Sequence, residues 1–203
     1  MIHEIQLTTE DTMATIGEYL RESADLINQT TNVLSNERAE QAIGAMTDAL
    51  SVDNPLLVCG NGGSAADAMH ITGELVGRFL LERKALNCIC LSSNPTFLTA
   101  WSNDYSYDTA FSRQVEAYGK AGGVLLGIST SGNSQNVVNA LEAARDMNMV
   151  TIALTGDGGG KMADVSDILL SVPSTSTPLI QQAHLCIYHY LCAEVEQRIG
   201  ALI

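Results

Sequence analysis

Hydrophobic residues recur at intervals of three and four along the first fifty positions of the chain. The pattern runs from about Asp11 to Leu50 and would place the apolar side chains on one face of each helix. No short, uniformly apolar run of the kind that forms a strand interrupts it. We therefore expect the chain to begin with two helices, within a helical segment that spans residues 1–53.

Short apolar runs then alternate with amphipathic stretches. Each run is rich in leucine or β-branched residues, which is typical of strands covered on both faces. The predicted strands are PLLVCG (55–60), LNCICL (86–91), GVLLGIST (123–130), VTIALTG (150–156) and DILLSVP (167–173). Helical patterns between and after these strands cover residues 64–82, 95–118, 134–148, 160–165 and 178–200.

Strands that alternate with helices indicate an α/β fold with a doubly wound, five-stranded parallel sheet, flavodoxin-like in type. A length of 203 residues favours one domain, in which the N-terminal helices precede an α/β core and a long C-terminal helix over residues 54–203. Ligands of such sheets bind beyond the carboxyl ends of the strands. The segments that follow the strands are therefore the places to look for a site.

Charge and cysteine usage exclude several classes of protein. A net charge of −13 with only ten lysines and arginines argues against nucleic-acid binding. No stretch approaches the length of a membrane span, and the first thirty residues lack the apolar core of a secretion signal. The five cysteines lie in apolar runs without CxxC spacing, which favours buried, reduced thiols. We expect a protein of a bacterial-type cytoplasm.

The clearest ligand signal follows the third strand, where the chain reads STSGNS (129–134). A flexible glycine and the start of a helix would let this loop hold an anion without a lysine. One helix cap needs one hydroxyl, so four hydroxyls favour a phosphate loop over an ordinary cap. The P-loop and GxGxxG patterns are absent, which favours a phosphorylated metabolite over a nucleotide. The hydroxyls belong to Ser129, Thr130, Ser131 and Ser134.

The first strand leads through a glycine-rich turn into a helix that carries an imidazole and a carboxylate. The turn is Asn61-Gly62-Gly63-Ser64, and His70 and Glu74 follow four residues apart. On a helix these two side chains lie on one face, about 6 Å apart. They could act as a general base and its partner or bind a divalent metal. A surface contact is the commoner meaning of this spacing by itself.

Polar residues also interrupt the apolar sequence of the C-terminal helix, at Gln181, His184 and His189. The two histidines point about 140° apart, so one site cannot easily use both. Spacing does not decide which of them is functional. The pair Asn103-Asp104, after the second strand, could bind sugar hydroxyls or simply form a turn.

Several of these motifs together resemble the sugar isomerase (SIS) domain, and specifically the phosphoheptose isomerases, from about residue 10 to the C-terminus. The segments that carry the resemblance are CGNGGSAADAMHITGELVGRF, the ND of WSNDYSYDTAFSRQVEA, VLLGISTSGNSQNV, LTGDGGGKMA and IQQAHLCIYH. The resemblance implies conversion of sedoheptulose 7-phosphate to D-glycero-D-manno-heptose 7-phosphate for bacterial surface glycans. It also implies a homotetramer with sites between subunits, and a zinc ion. The alternative is a non-catalytic SIS protein, either a partner of the replication initiator or a sugar-phosphate sensor.

Matched motif by motif, the resemblance assigns roles to individual residues. It makes Glu74 and His189 catalytic, and so selects His189 over His184. The implied zinc ligands are His70, Glu74, Gln181 and His189. The implied substrate-binding residues are Asn61, Gly62, Gly63, Ser64, Asn103, Asp104, Ser129, Thr130, Ser131, Ser134 and Gln181.

Two features of the last motif stand apart from this match. Gln181 and His189 are separated by a rise of about 12 Å along one helix, so both can reach one ion only by converging side chains or from different subunits. We expect the site to be completed across a subunit interface. Relatives commonly read (P/A)-(R/K)-I-Q-E here, whereas this chain has Leu179 and Gln182 at the second and last positions.

Overall fold

A five-stranded parallel sheet forms the centre of the protein, whose computed structural model describes residues 15–201. The strands lie in the order β2-β1-β3-β4-β5, and every neighbouring pair is parallel. The predicted doubly wound sheet is thus confirmed, with each strand inside its predicted apolar run. The strands are β1 (Leu56–Gly60), β2 (Cys88–Cys90), β3 (Val124–Ser129), β4 (Val150–Thr155) and β5 (Ile168–Ser171).

The helices also follow the predicted order. Two precede the sheet and a long one ends the chain; the part of the first prediction before residue 15 lies outside the described residues. Among residues 15–201, no helix has both the length and the hydrophobicity needed to cross a membrane. The helices are α1 (Ile16–Val33), α2 (Asn36–Ser51), α3 (Gly63–Val76), α4 (Pro95–Asp104), α5 (Ala110–Tyr118), α6 (Gln135–Asp146), α7 (Gly160–Val165) and α8 (Thr177–Gly200).

Side chains of the strands alternate between two hydrophobic layers. In β1, Leu56 and Val58 face a core that includes α2, α3 and α8. Leu57 and Cys59 face the opposite core, which includes α5 and α6. Because helices cover both faces, the strands carry apolar residues at nearly every position, which is why their sequences lack polar alternation.

The prediction of a single helix over residues 64–82 is wrong, because α3 ends at Val76. Gly77 leaves the helical region, with φ −76° and ψ −110°. The following turn is held by a side chain from α8: the buried Glu196 carboxylate accepts the backbone N–H groups of Phe79, Leu80 and Leu81. These bonds replace the helical ones that residues 79–81 would otherwise make.

The prediction of one helix over residues 95–118 is also wrong. The chain breaks at Tyr105, which has φ −131° and ψ −100°, and passes through a short 3-10 turn over Tyr107–Thr109. Ser106 caps this turn by accepting from the N–H of Asp108. The break separates α4, none of whose residues is buried, from α5, which packs into the core.

Candidate functional site

The glycine-rich turn and the serine loop lie where the order of the strands in the sheet reverses. The chain leaves β1 toward β2 on one side, while β3 adds to the other side of β1. Such a switch opens a crevice at the carboxyl ends of the two central strands. Here β1 ends at Gly60 and β3 at Ser129, so the glycine-rich turn and the serine loop lie side by side.

The serine loop gathers its hydroxyls at one point. The Ser129 Oγ lies 2.8 Å from the Oγ of Ser134 and 3.3 Å from that of Ser131. Thr130 instead faces Thr177 at the start of α8, with 3.2 Å between their hydroxyl oxygens. Within the described residues, the Ser134 side chain makes no capping hydrogen bond at the start of α6. The first N–H groups of α6 are therefore available to an anion.

Gly132 sets the shape of this loop. Its φ of +65° is the left-handed conformation that favours glycine. A Cβ at this position would also collide with the backbone carbonyl of Gly159, in the loop after β4. The two loops therefore meet backbone to backbone, which keeps the serine turn compact.

Asn61, in the turn after β1, is held by two residues that the sequence analysis did not select. Asn61 and the buried Asn136 of α6 exchange two amide hydrogen bonds of 2.9 Å. The hydroxyl of Tyr107 donates a third, 2.6 Å long, to Asn61 Oδ1. In the sequence, the residue that could have indicated this contact is Asn136, an amide that lies beside Val137 on the buried face of α6. A buried amide requires a partner.

The remaining residues of the glycine-rich turn shape the start of α3. Gly62 has a φ of +56°, and Ser64 is buried in the first turn of the helix. The Gln181 carboxamide lies directly against Gly63, where a Cβ would collide with it. Gln181 thus faces the beginning of α3.

The predicted carboxylate and imidazole groups contact each other further along α3. His70 Nε2 lies 2.9 Å from Glu74 Oε1. The His189 ring crosses that of His70 nearly at a right angle, with 5.0 Å between ring centres. Ligand atoms of His70, Glu74 and His189 all lie within 4.8 Å of one another. The early and late motifs therefore converge within one chain.

The packing of α3 against α8 explains the positions of Gln181 and of the cluster around His189. Gln181 lies opposite Gly63 at the start of α3, and Tyr188 lies opposite His70 further along. The two helices therefore run side by side in the same direction. Along this seam Gln181 is about 12 Å from the level of His189. In one chain, Gln181 and the three-residue cluster lie at different levels of the paired helices α3 and α8.

The structure distinguishes the two histidines of α8. His184 is fully buried, and its Nε2 lies 3.0 Å from the Thr155 carbonyl oxygen. Burial lowers the pKa of His184 to about 4, against a smaller opposing effect of that hydrogen bond. A neutral core histidine is the result. His189 instead faces the cluster and packs against Phe79, with 5.4 Å between ring centres.

Asn103 and Asp104 form the exposed last turn of α4. The Asn103 amide donates to the Asp104 carboxylate at 3.0 Å. They end a helix instead of forming an isolated turn. Their role toward a sugar stays a prediction.

Comparisons with known proteins identify the family to which this chain belongs. A family model described as the SIS domain matches residues 18–156. The phosphoheptose isomerase of Crocosphaera subtropica is 46% identical over 183 residues, which are 90% of this chain and 93% of the relative. This chain belongs to the phosphoheptose isomerase family of SIS-domain proteins.

Solved structures extend the likeness to the fold. The phosphoheptose isomerase of Neisseria gonorrhoeae superposes with a TM-score of 0.84 at 41% identity, covering 90% of this chain and 97% of that one. The phosphoheptose isomerase of Francisella tularensis gives 0.86 at 38% identity, covering 94% and 100%. The family likeness therefore includes both the sheet and the long C-terminal helix.

The two departures from the family's last motif serve packing against α1. Leu179 is buried in an apolar cluster with Leu26 and Val172. The Gln182 amide donates to the Tyr19 hydroxyl at 2.9 Å. Both side chains therefore attach α8 to the N-terminal helix.

The cluster of His70, Glu74 and His189 fits a divalent metal. Two imidazoles and a carboxylate are ligands that zinc prefers. In the part of the chain that the structure describes, His189 Nε2 is buried without a hydrogen-bond partner. Ligands of a tetrahedral zinc lie about 3.3 Å apart, since each bond is about 2 Å long. Small side-chain rotations would bring the 4.8 Å cluster to that spacing.

Proposed function

We propose that the protein is a phosphoheptose isomerase that converts sedoheptulose 7-phosphate to D-glycero-D-manno-heptose 7-phosphate, a precursor of bacterial surface glycans. The observation that carries this proposal is the convergence of Glu74 and His189 in one cluster, in a chain whose loop after β3 gathers serine hydroxyls. Relatives that share close to half of the sequence bear the name of this enzyme.

The reaction moves a hydrogen between adjacent carbons through an enediol. It needs a base for the C–H proton and a second group for the hydroxyl protons. Glu74 acts as the carbon base, because its carboxylate lies beside both imidazoles and its Oε1 contacts His70 Nε2. His189, on the facing helix α8, moves protons between the two sugar oxygens.

The phosphate end of the substrate binds the serine loop. Ser129, Ser131 and Ser134 donate hydroxyls, and the start of α6 contributes the positive end of the helix dipole. Thr130 lies at the rim beside Thr177. Binding at this remote group orients the reacting carbons toward Glu74, which lowers the entropic part of the barrier.

The rest of the sugar occupies the crevice between the two loops. Asn61 presents its amide at the end of β1, with its orientation fixed by Asn136 and Tyr107. Gly62, Gly63 and Ser64 form the wall at the start of α3, where the Gln181 carboxamide lies against Gly63. Asn103, Asp104 and Gln181 complete the set of substrate contacts.

We infer that the metal held by His70, Glu74 and His189 is zinc, one per subunit, with Gln181 as the fourth protein ligand. Bound zinc would polarise the substrate carbonyl. Since Gln181 lies at another level of its own chain, we infer a homotetramer in which the site is completed by a neighbouring subunit. A substrate-bound structure with every site residue from one chain would refute this assembly. The setting we infer is the bacterial cytoplasm.

A non-catalytic sensor or interaction protein would not need both proton-handling groups. The chain keeps Glu74 and His189 within one cluster, and this favours the enzyme. The test is to incubate the protein with sedoheptulose 7-phosphate, with and without zinc, and to follow the heptose product by NMR. Turnover is expected. Sugar-phosphate binding without turnover in either condition would favour the sensor instead.

A further inference from the structure

A buried tyrosine lies behind the proposed metal ligand His70. Tyr188 of α8 is 1% exposed, and its hydroxyl oxygen lies 2.9 Å from His70 Nδ1. The opposite ring nitrogen, Nε2, faces Glu74. On its far side the Tyr188 hydroxyl donates a long hydrogen bond of 3.5 Å to Asp67 Oδ1, one turn before His70 on α3. A line of polar groups thus runs from Asp67 through Tyr188 to His70.

Without a metal, His70 Nε2 faces the Glu74 carboxylate; with Nε2 bound to a metal, the order of donors along this line places the imidazole proton on Nδ1. An ionised carboxylate only accepts, so the single proton of Tyr188 points toward Asp67. The Tyr188 oxygen then accepts, and the group able to donate to it is Nδ1–H of His70. A neutral imidazole with its proton on Nδ1 has a free lone pair on Nε2. That lone pair points to the side of the ring where Glu74 lies.

Simple packing would not require the hydroxyl. The ring of Tyr188 contributes to the core beside α3, and a phenylalanine would fill the same space. In the described part of the chain, Asp67 Oδ2 is also buried without a partner. Burying an unpartnered carboxylate oxygen costs free energy, and a role in the site would explain why it is kept.

We propose that Asp67 and Tyr188 are positioning residues that hold His70 in the Nδ1–H tautomer and in the ring orientation required for Nε2 to bind the metal. This inference rests on the metal site of the proposed function. It assigns to the buried phenol the outer-shell role that carboxylates and carbonyls often play behind metal-binding histidines.

The test measures zinc affinity by competition with a chromophoric chelator, using the full chain. Tyr188→Phe keeps the ring and removes only the oxygen, and it is expected to weaken zinc binding by about 10- to 100-fold. Tyr190→Phe is the matched control, because Tyr190 is half exposed two residues further along the same helix. Its affinity should equal that of the wild type. Asp67→Ala should weaken binding in the same direction as Tyr188→Phe.

A double-mutant cycle separates positioning from general damage. If Tyr188 acts through His70, Tyr188→Phe should have no further effect on zinc affinity in a His70→Ala background. Tyr188→Phe with wild-type affinity would overturn the inference alone, as would an equal loss in both backgrounds. Failure of the wild-type protein to bind zinc would instead refute the metal site in the proposed function, and the inference with it.

Discussion

The turn after α3 is fastened by one buried ion pair, and its loss should be costly. Glu196 of α8 accepts the backbone N–H groups of Phe79, Leu80 and Leu81 at 2.6–2.9 Å. Its Oε1 also lies 3.2 Å from Arg83, and each of these two side chains is 1% exposed. Arg83 in turn donates to the carbonyl oxygen at Glu74, at 2.7 Å. The pair therefore connects α8 to the backbone of the proposed carbon base.

Glu196→Gln is nearly isosteric but cannot replace the carboxylate. The carboxamide has one accepting oxygen, and its NH2 group would face another donor. Arg83 would keep a buried charge without its partner. Breaking a buried pair in this way costs about 3–5 kcal/mol of unfolding free energy. At about 2–4 °C per kcal/mol for a chain of this size, the melting temperature should fall by about 6–20 °C.

The assay is thermal and urea unfolding, with Glu194→Gln as the control. Glu194 lies on the same helix, is 30% exposed and pairs with Arg198 at 3.6 Å. Its substitution should cost less than about 1 kcal/mol. Equal losses in the two variants, or a loss below about 1 kcal/mol for Glu196→Gln, would refute the reasoning.

The ion pair also predicts a pH dependence. Burial raises the pKa of Glu196, but the three backbone donors and Arg83 outweigh it and hold the pKa below the ordinary value of 4.5. A carboxyl with a lowered folded-state pKa contributes stability that is fully present above its unfolded pKa. This contribution is lost as pH falls from about 4.5 through the folded-state value. As the pH falls, the wild type should lose this contribution to its free energy of unfolding. Glu196→Gln should show no such contribution at any pH.

Two further predictions concern the loops of the crevice. Gly132→Ala should destabilise the protein and weaken sugar-phosphate binding more than Gly158→Ala. Both glycines have positive φ, at +65° and +67°, but only at Gly132 would the new Cβ strike the Gly159 backbone; equal effects would contradict this. Tyr107→Phe removes one hydrogen bond to Asn61 and should raise KM about 5- to 10-fold, the effect of about 1–1.4 kcal/mol. An unchanged KM would show that the amide pair alone orients Asn61.

The sheet could be predicted from the sequence because its strands are buried on both faces. Runs such as those around Val58 and Leu126 have no polar interruption, so they could be identified as buried strands from the sequence. The end of α3 could not be predicted, because the side chain that binds the backbone of the turn, Glu196, lies near the far end of the chain. Local patterns carry no information about such a partner.

The sequence predicts which residues belong to the candidate site better than it predicts how they are arranged in space. The spacing of His70 and Glu74 gave their contact directly, since it follows from helix geometry. Spacing gave only the angle between His184 and His189. Burial, which places His184 in the core, is a property of the packed fold. Tyr188 was missed because a tyrosine in an apolar helix is typical of core packing.

The central claim is that Glu74, which lies in one cluster with His189, takes a proton from a sugar carbon. The most direct measurement is turnover of sedoheptulose 7-phosphate by Glu74→Gln, together with the affinity of the variant for the same sugar phosphate. The account predicts a loss of at least about 10²–10⁴-fold in turnover with binding nearly unchanged. Turnover within a few-fold of the wild type would contradict it and assign the base to another residue.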